Sequence, residues 1–457
     1  MRSARPPWTR RRAAVLVLLA GLVGPLAVGG CADLPPKPGP GPGEGGGTGG
    51  AATAIDASGD GDGPVTVAGL SDDGDVAGYR VEGGRGFLFA DGTVHELPPV
   101  AGSPSGTPVM VAAVNAGGQV AGAVPAEQGR YQPVVWPGPG APAIPVGPTA
   151  SGTSKDLNDR GDVLIDDGTT VVVATAAAGP VTAASGIVVR VPALPGATKQ
   201  YGQAINNEGL VIGWAEYGGA GRPSAARSYL WDGARLTDLG SLDPRPDTAA
   251  FVRPAALNER GQVVGSSLTP SGDTHAFLWE DGRMTDLGTL GGRSSFATDV
   301  NEHGQVVGYS ATATEEVHAF FWDQGTMIDL GVLAGDHSEA GAINDAGQIA
   351  GFSTAATSPT TTIGATNPTG GEPSPPGTPA ATTTHAVVWK ATRALTSPVP
   401  GGGDPPPAWG VELTDLGVPP GFDASAASAL NSRGDVAGTA TAGDRDAHAF
   451  VWAVGRR

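Results

Sequence analysis

Four histidines recur in one local setting. His275, His318, His385 and His448 each open a His-Ala-Phe or His-Ala-Val run that ends in Trp. Histidine is a frequent metal ligand, and zinc needs its ligands at about 2 Å from one centre. Each of these histidines stands at the same place in a repeated unit, however. Equivalent positions in successive units point around an assembly and do not converge, so a strand-start hydrogen bond is the expected role. The aspartates of four Asp-Leu-Gly triplets, Asp238, Asp286, Asp329 and Asp415, also repeat. A carboxylate on an outer strand more often blunts an exposed edge or bonds a turn than does chemistry. Asp56, Asp60 and Asp62 alternate with Gly59, Gly61 and Gly63, as in a calcium loop, but no Glu completes the twelve-residue pattern. The chain has no Gly-x-Ser-x-Gly elbow, no phosphate-cradling loop and no carboxylate pair set apart from the repeat. No metal, cofactor or catalytic residue is expected. Trp136, Trp231, Trp279, Trp322, Trp389 and Trp452 also hold one repeated position, and packing between units is their expected role.

Cys31 is the residue whose setting implies definite chemistry. Arg2, Arg5, Arg10, Arg11 and Arg12 form a positive start, and Ala13 to Val28 is an uncharged apolar run interrupted by Pro25. The run is too short for a confident membrane span and suits a signal peptide. Val28-Gly29-Gly30-Cys31 follows, which resembles a bacterial lipoprotein lipobox. That resemblance implies cleavage before Cys31 and a diacylglycerol on its thiol. Residues 1–30 are then a signal peptide, and residues 31–50 a lipidated cysteine with a Gly/Pro-rich tether.

Cys31 is the one cysteine, so no intrachain disulfide can form and the fold must rest on its core. The net charge is −18, and without residues 1–30, which hold five Arg and no acid, it is −23. A surface this acidic, with no basic patch, excludes nucleic acid as a partner. The expected partners are the membrane, through the lipid on Cys31, and a protein or cell-wall polysaccharide ligand. The expected state is a monomeric, exported lipoprotein on the extracytoplasmic side.

What positions these residues is a repeat. An apolar residue, Asn, two polar or small residues, Gly and a Val-rich run recur at Asn115, Asn158, Asn206, Asn258, Asn301, Asn344 and Asn431, with Ser71 as a variant. Successive positions lie 44, 43, 48, 52, 43, 43 and 87 residues apart. In the cleanest unit, Phe296 to Gly335, Asn301 to Gly304 makes a tight turn between two strands. His318–Trp322 is a third strand, and Thr326–Leu330 a fourth. A period near 43 with four strands per unit is that of a β-propeller blade.

The His-Ala-Phe, Trp and Asp-Leu-Gly wording resembles the HAF-repeat family of bacterial extracellular proteins over nearly all of residues 54–452. The resemblance is strongest at 201–352 and weakest at 158–206. It implies a propeller but no particular activity.

The expected fold is all-β, with eight four-stranded blades over residues 51–457. Pro/Gly/Thr-rich insertions at 354–384 and 391–408 fill the double-length gap. The last unit lacks its fourth strand, and residues 53–57 are expected to supply it by pairing with 448–452, closing the ring. An open β-solenoid is the alternative that closure would exclude.

The function expected is a binding or structural module. A propeller lyase or hydrolase acting on cell-wall carbohydrate or peptide is the alternative, and a surface protein without a specific ligand is a third. Loops vary most on the face opposite the Asn turns, where recognition usually resides. Arg222, Asp243, Arg245, Asp247 and Arg445 there are the candidate ligand contacts.

Overall fold

The computed structural model describes residues 52–55, 64–104, 106–147, 152–175, 187–218, 225–245, 251–356, 382–393, 409–443 and 446–454. Cys31, the leader and the tether lie outside them, as do most of the two insertions.

The described residues form antiparallel four-stranded sheets, two of which are joined by a single parallel pairing, Thr274 with Ser294. There are eight such four-stranded units. In seven of them the strand order is the chain order. In the eighth, Ala52–Ile55 lies beside Asp446–Ala453 as the missing outer strand, with Ala52 opposite Trp452 and Ile55 opposite Ala449. The N-terminal strand thus starts one residue earlier than the sequence suggests, and Asp56 and Ala57 lie outside the described residues. Ile55 is 2% exposed, packed with Val65, Val76 and Ala449, so closure carries core with it.

We number the blades from Val65 onward. Their inner strands are Val65–Leu70, Met110–Val114, Thr153–Leu157, Lys199–Ile205, Val252–Leu257, Gly291–Val300, Ser338–Ile343 and Ala424–Leu430. Each touches the inner strand of the next blade, and the eighth touches the first. The protein is therefore a ring-closed, eight-bladed β-propeller whose inner strands surround a central channel.

The repeat explains the blade. Each inner strand carries one bulge two to four residues before its Asn or Ser71, for example between Ala297 and Asp299. The bulge bends the strand as it enters the turn. Gly304 closes that turn at φ 77°, and its N–H bonds the Asn301 carbonyl at 3.0 Å. On the second strand, a Cβ at Gly308 would stand 2.0 Å from the Phe296 carbonyl, so the Val-Val-Gly run must end in glycine there. The same glycine recurs in every blade but the third, where Ile165 stands in its place.

Buried serines lock blade to blade. Ser338 accepts from Ala319 N–H at 2.9 Å and donates to the Gly331 carbonyl at 2.7 Å, both in the preceding blade. Ser295 and Ser425 do the same for their neighbours. Trp389 donates its indole N–H to Leu330 O at 2.9 Å, and Trp136 to Pro98 O at 2.6 Å. These tryptophans pack between blades.

Blade 7 is longer than expected at both insertions. Its second and third strands continue through Thr354↔Thr384, Ala355↔Thr383 and Ala356↔Thr382. Its third and outer strands continue through Ala391↔Val411 to Arg393↔Trp409. The inserted segments therefore begin beyond 356 and 393, because each hairpin extends its ladder before the Pro-rich sequence starts.

Candidate functional site

The repeated histidines serve the scaffold. Nδ1 of His275, His318 and His385 lies 2.9 Å from a carboxylate oxygen of Asp286, Asp329 and Asp415 respectively, each on the adjoining outer strand. The same aspartates accept the N–H of the Gly two residues on, at 2.7–2.8 Å. Burial pushes the Asp415 carboxyl up, but the His385 and Gly417 bonds outweigh it and hold the group below its ordinary value. In blade 4 the pair becomes Arg227–Asp238 at 2.9 Å. His448 packs edge-on against Phe422. A His–Asp pair thus staples third strand to outer strand in blades 5, 6 and 7, and an Arg–Asp pair does so in blade 4. Among the described residues no three His, Cys, Asp or Glu cluster as metal ligands would. Asp56, Asp60 and Asp62 lie outside those residues.

At the Asn-turn end the asparagines form a belt. Each Asn side chain is 3–7% exposed. Its Oδ1 accepts the N–H four residues on, as in Asn301 to Gln305 at 3.0 Å. Its Nδ2 donates across the blade boundary to the carbonyl of the next Asn. The chain of bonds runs Asn115, Asn158, Asn206, Asn258, Asn301, Asn344 and Asn431, then to Ser71 O, at 2.9–3.2 Å. Ser71 has no amide to continue it, so the belt opens between blades 1 and 2.

A second set of bonds accompanies the first. The N–H after six of the seven asparagines bonds a side chain of the next blade, as from Glu259 to Glu302 at 2.7 Å, Glu302 to Asp345 at 2.8 Å and Ser432 to Asp72 at 3.0 Å. Asp72, Asp159, Glu259, Glu302 and Asp345 are therefore engaged with backbone.

Two further acids were not singled out from the sequence. Asp156 and Asp299 follow the bulge of their inner strands, where the other six blades have Gly or Ala. Each ties one inner strand to the next. Asp156 accepts from Leu157 N–H and Ile205 N–H at 2.8 Å. Asp299 accepts from Val300 N–H and Ile343 N–H at 2.8 Å. Burial pushes each carboxyl up to about 6 against these bonds. Asp156, Asn158, Asp159 and Asn207 line a depression of about 360 Å³ at this end. The signal available in sequence was a charge where the repeat has a small residue.

At the opposite end the repeat falls silent. The residue five before each Asn or Ser71 faces, across the ladder, the residue eight after it. Around the ring these pairs are Thr66/Tyr79, Met110/Ala123, Thr153/Asp166, Tyr201/Trp214, Arg253/Ser266, Phe296/Tyr309, Glu339/Phe352 and Ala426/Thr439. Blades 4 to 7 concentrate rings. Tyr201 stacks on Trp214 with centroids 5.0 Å apart, Phe296 on Tyr309 at 5.1 Å, and His337 on Phe352 at 5.6 Å. The Arg253 guanidinium lies 4.3 Å from the Trp214 ring centre and 5.4 Å from that of Phe251. His337 Nε2 lies 3.0 Å from Glu339 Oε1. Burial, then the nearby Glu339 charge, pushes the Tyr309 hydroxyl up to about 12.

Of the candidate contacts read from sequence, Asp243 and Arg245 are described. The Arg245 fork holds Asp243 at 2.6 Å and 2.8 Å and donates to Pro270 O at 3.0 Å. Asp243 is 5% exposed, so this clamp braces the loop into blade 5. Arg222, Asp247 and Arg445 lie outside the described residues. On the same face a groove of about 410 Å³ between blades 1 and 2 is lined by Tyr79, Val81, Pro108, Met110 and Tyr131.

The fold and this division of ends define a β-propeller with a bonded end and a variable end. The chain matches no protein-family model and no curated protein. Among solved structures it is similar to the putative TolB from Agrobacterium tumefaciens, at 12% identity over 50% of this chain and 81% of that one, TM-score 0.34. It is similar to the β-propeller domain of the Trilobed protease from Pyrococcus furiosus, at 11% identity over 74% and 93%, TM-score 0.39. The WD40 domain of SCAP from fission yeast is similar at 11% identity over 88% and 98%, TM-score 0.42. At these scores the architecture stands on the strand pairing above.

Proposed function

We propose that the protein is a lipid-anchored binding module of the cell envelope, held through Cys31 and contacting its ligand at the end of the ring opposite the Asn turns. The observation that carries this reading is the contrast within single strands. Residues fixed by the repeat are engaged in holding blades together, whereas aromatic and charged residues outside the repeat gather at the other end. Rigid scaffolds with variable ends are commonly recognition devices. Catalysis is not part of the reading, since Asp156, Asp166 and Asp299, buried carboxyls whose pKa burial raises, are each tied to two backbone N–H groups.

Membrane fractionation of the full chain and of Cys31→Ser tests the anchor. The reading expects the native protein with membranes and the variant in the soluble fraction. A variant that stays with the membrane removes the lipid anchor from the account.

A further inference from the structure

The aromatic residues concentrate in a half-ring, blades 4 to 7; at the paired positions of the other four blades Tyr79 of blade 1 is the one ring among the described residues. At the same positions blades 8, 1, 2 and 3 carry Ala426, Thr66, Met110 and Thr153 from their inner strands. The inner strands of those blades fill their buried layer beside these positions with small residues, as Val65, Val111 and Ala427 show. The fold therefore does not demand Tyr201, Trp214, Phe296, Tyr309 or Phe352. All five are half-buried and keep part of their surface in solvent.

Polar groups stand between the ring pairs. Arg253 is half-buried beside Trp214 and Phe251, and its guanidinium makes no ion pair or hydrogen bond with another described residue. Burial lowers its pKa, against the pull of Glu216. Glu339, with His337, occupies the other flank.

We propose that this half-ring binds a neutral, β-1,4-linked glycan, a ligand class that rests on the binding-module reading. The flat faces of a pyranose present C–H groups, which suit partly exposed aromatic rings. Its rim of hydroxyls suits a guanidinium whose donors bond no other described residue and a carboxylate with accepting oxygens. A chain of such sugars can lie across successive blades, meeting an aromatic pair, a cation and another pair. The −23 charge of the chain without its leader works against an anionic polymer.

The test is calorimetric titration of the full-length protein with chitohexaose and with cellohexaose. The proposal expects one of them to bind. It expects Trp214→Ala and Phe296→Ala each to weaken that binding by about tenfold or more, and Arg253→Gln by several-fold. Thr66→Ala, on the other half of the mouth, should leave affinity unchanged. Thermal unfolding of each variant shows that the propeller is intact, and Arg253→Gln, which removes no ring, keeps the test alive if an aromatic variant fails to fold. Failure of both hexasaccharides to bind at millimolar concentration overturns the proposal, as does binding indifferent to all three substitutions.

A parallel pull-down on insoluble cell-wall material separates this from the module reading. Wall binding that survives the three substitutions overturns the glycan site while leaving the module standing. No wall or sugar binding by the native chain counts against both.

Discussion

At one end of the inner strands seven asparagines and a serine make the same turn eight times, and seven amides carry the belt from blade to blade. At the other end the eight equivalent positions hold Thr, Met, Thr, Tyr, Arg, Phe, Glu and Ala. The strand between is short, so one sequence of a few residues serves both. What the difference teaches is how a repeat can be read for function. Where each unit satisfies its neighbour, substitution disrupts a buried bond and the residue stays uniform. Where no neighbour is served, the residue type is free to follow a ligand.

The largest effect should come from opening the ring. A chain that starts at residue 60 lacks Ala52–Ile55, and with them the buried Ile55 and a ladder of pairing to Ala449–Trp452. We expect a loss of roughly 3–5 kcal/mol in chemical denaturation relative to a chain starting at residue 52. Equal stability of the two would show that closure does not hold the propeller.

The belt comes next. Asn301→Ala removes an amide that donates to Asn344 O and Gln305 Oε1 and accepts from Gln305 N–H. A cost of about 2–3 kcal/mol follows, because buried partners are left unpaired. The converse change sharpens the point. Ser71 Oγ already accepts from Asp75 N–H at 3.0 Å, as the Asn side chains do for their fourth residue. Ser71→Asn should supply the missing eighth link to Asn115 and raise the melting temperature by about a degree, a gain of about 0.5–1 kcal/mol.

The inner-strand acids predict a pH effect of definite sign. Burial raises Asp156 and Asp299 from 3.8 to about 6 in the folded protein. A raised folded value means that the fold favours the neutral acid. This contribution is full below about pH 4 and is lost as pH rises through about 6. Asp299→Ala, the residue of most other blades, should therefore change stability more favourably at pH 7.5 than at pH 4.5. The difference is on the order of 1–2 kcal/mol, measured by denaturant titration at both values. A difference of the opposite sign would mean that the backbone bonds outweigh burial.

The smallest effect is at the strand staples. His318→Ala loses a pair whose Asp329 is 44% exposed, and should cost less than about 1 kcal/mol.

The ring, the blade count and the closing strand could be read from period, turn and the incomplete last unit. They are set by local patterns that recur, which is what sequence displays best. The role of the Asn amide could not be read, because its acceptor lies one blade away, 43 residues or more along the chain. Asp156 and Asp299 were hidden for a similar reason: a charge near a turn looks solvated until the bulge directs it inward. The aromatic half-ring depends on register between strands and on blade order together. Tyr201, Arg253 and Phe296 are unremarkable singly, and only their alignment five residues before each Asn sets them at one level. Loop length drew attention to Asp243 and Arg245, but charge on a long loop does not reveal which protein group it pairs with, here another residue of the same loop.

One strand offers the most direct test of the division between ends. Phe296 and Asn301 lie five residues apart on the inner strand and turn of blade 6. Melting temperature and hexasaccharide affinity should be measured for Phe296→Ala and Asn301→Ala side by side. The account expects Asn301→Ala to melt several degrees lower and bind as the native protein does, and Phe296→Ala to lose affinity about tenfold with little change in melting. If Asn301→Ala loses the sugar at a temperature where it is folded, or Phe296→Ala binds unchanged, the two ends do not divide the work in this way.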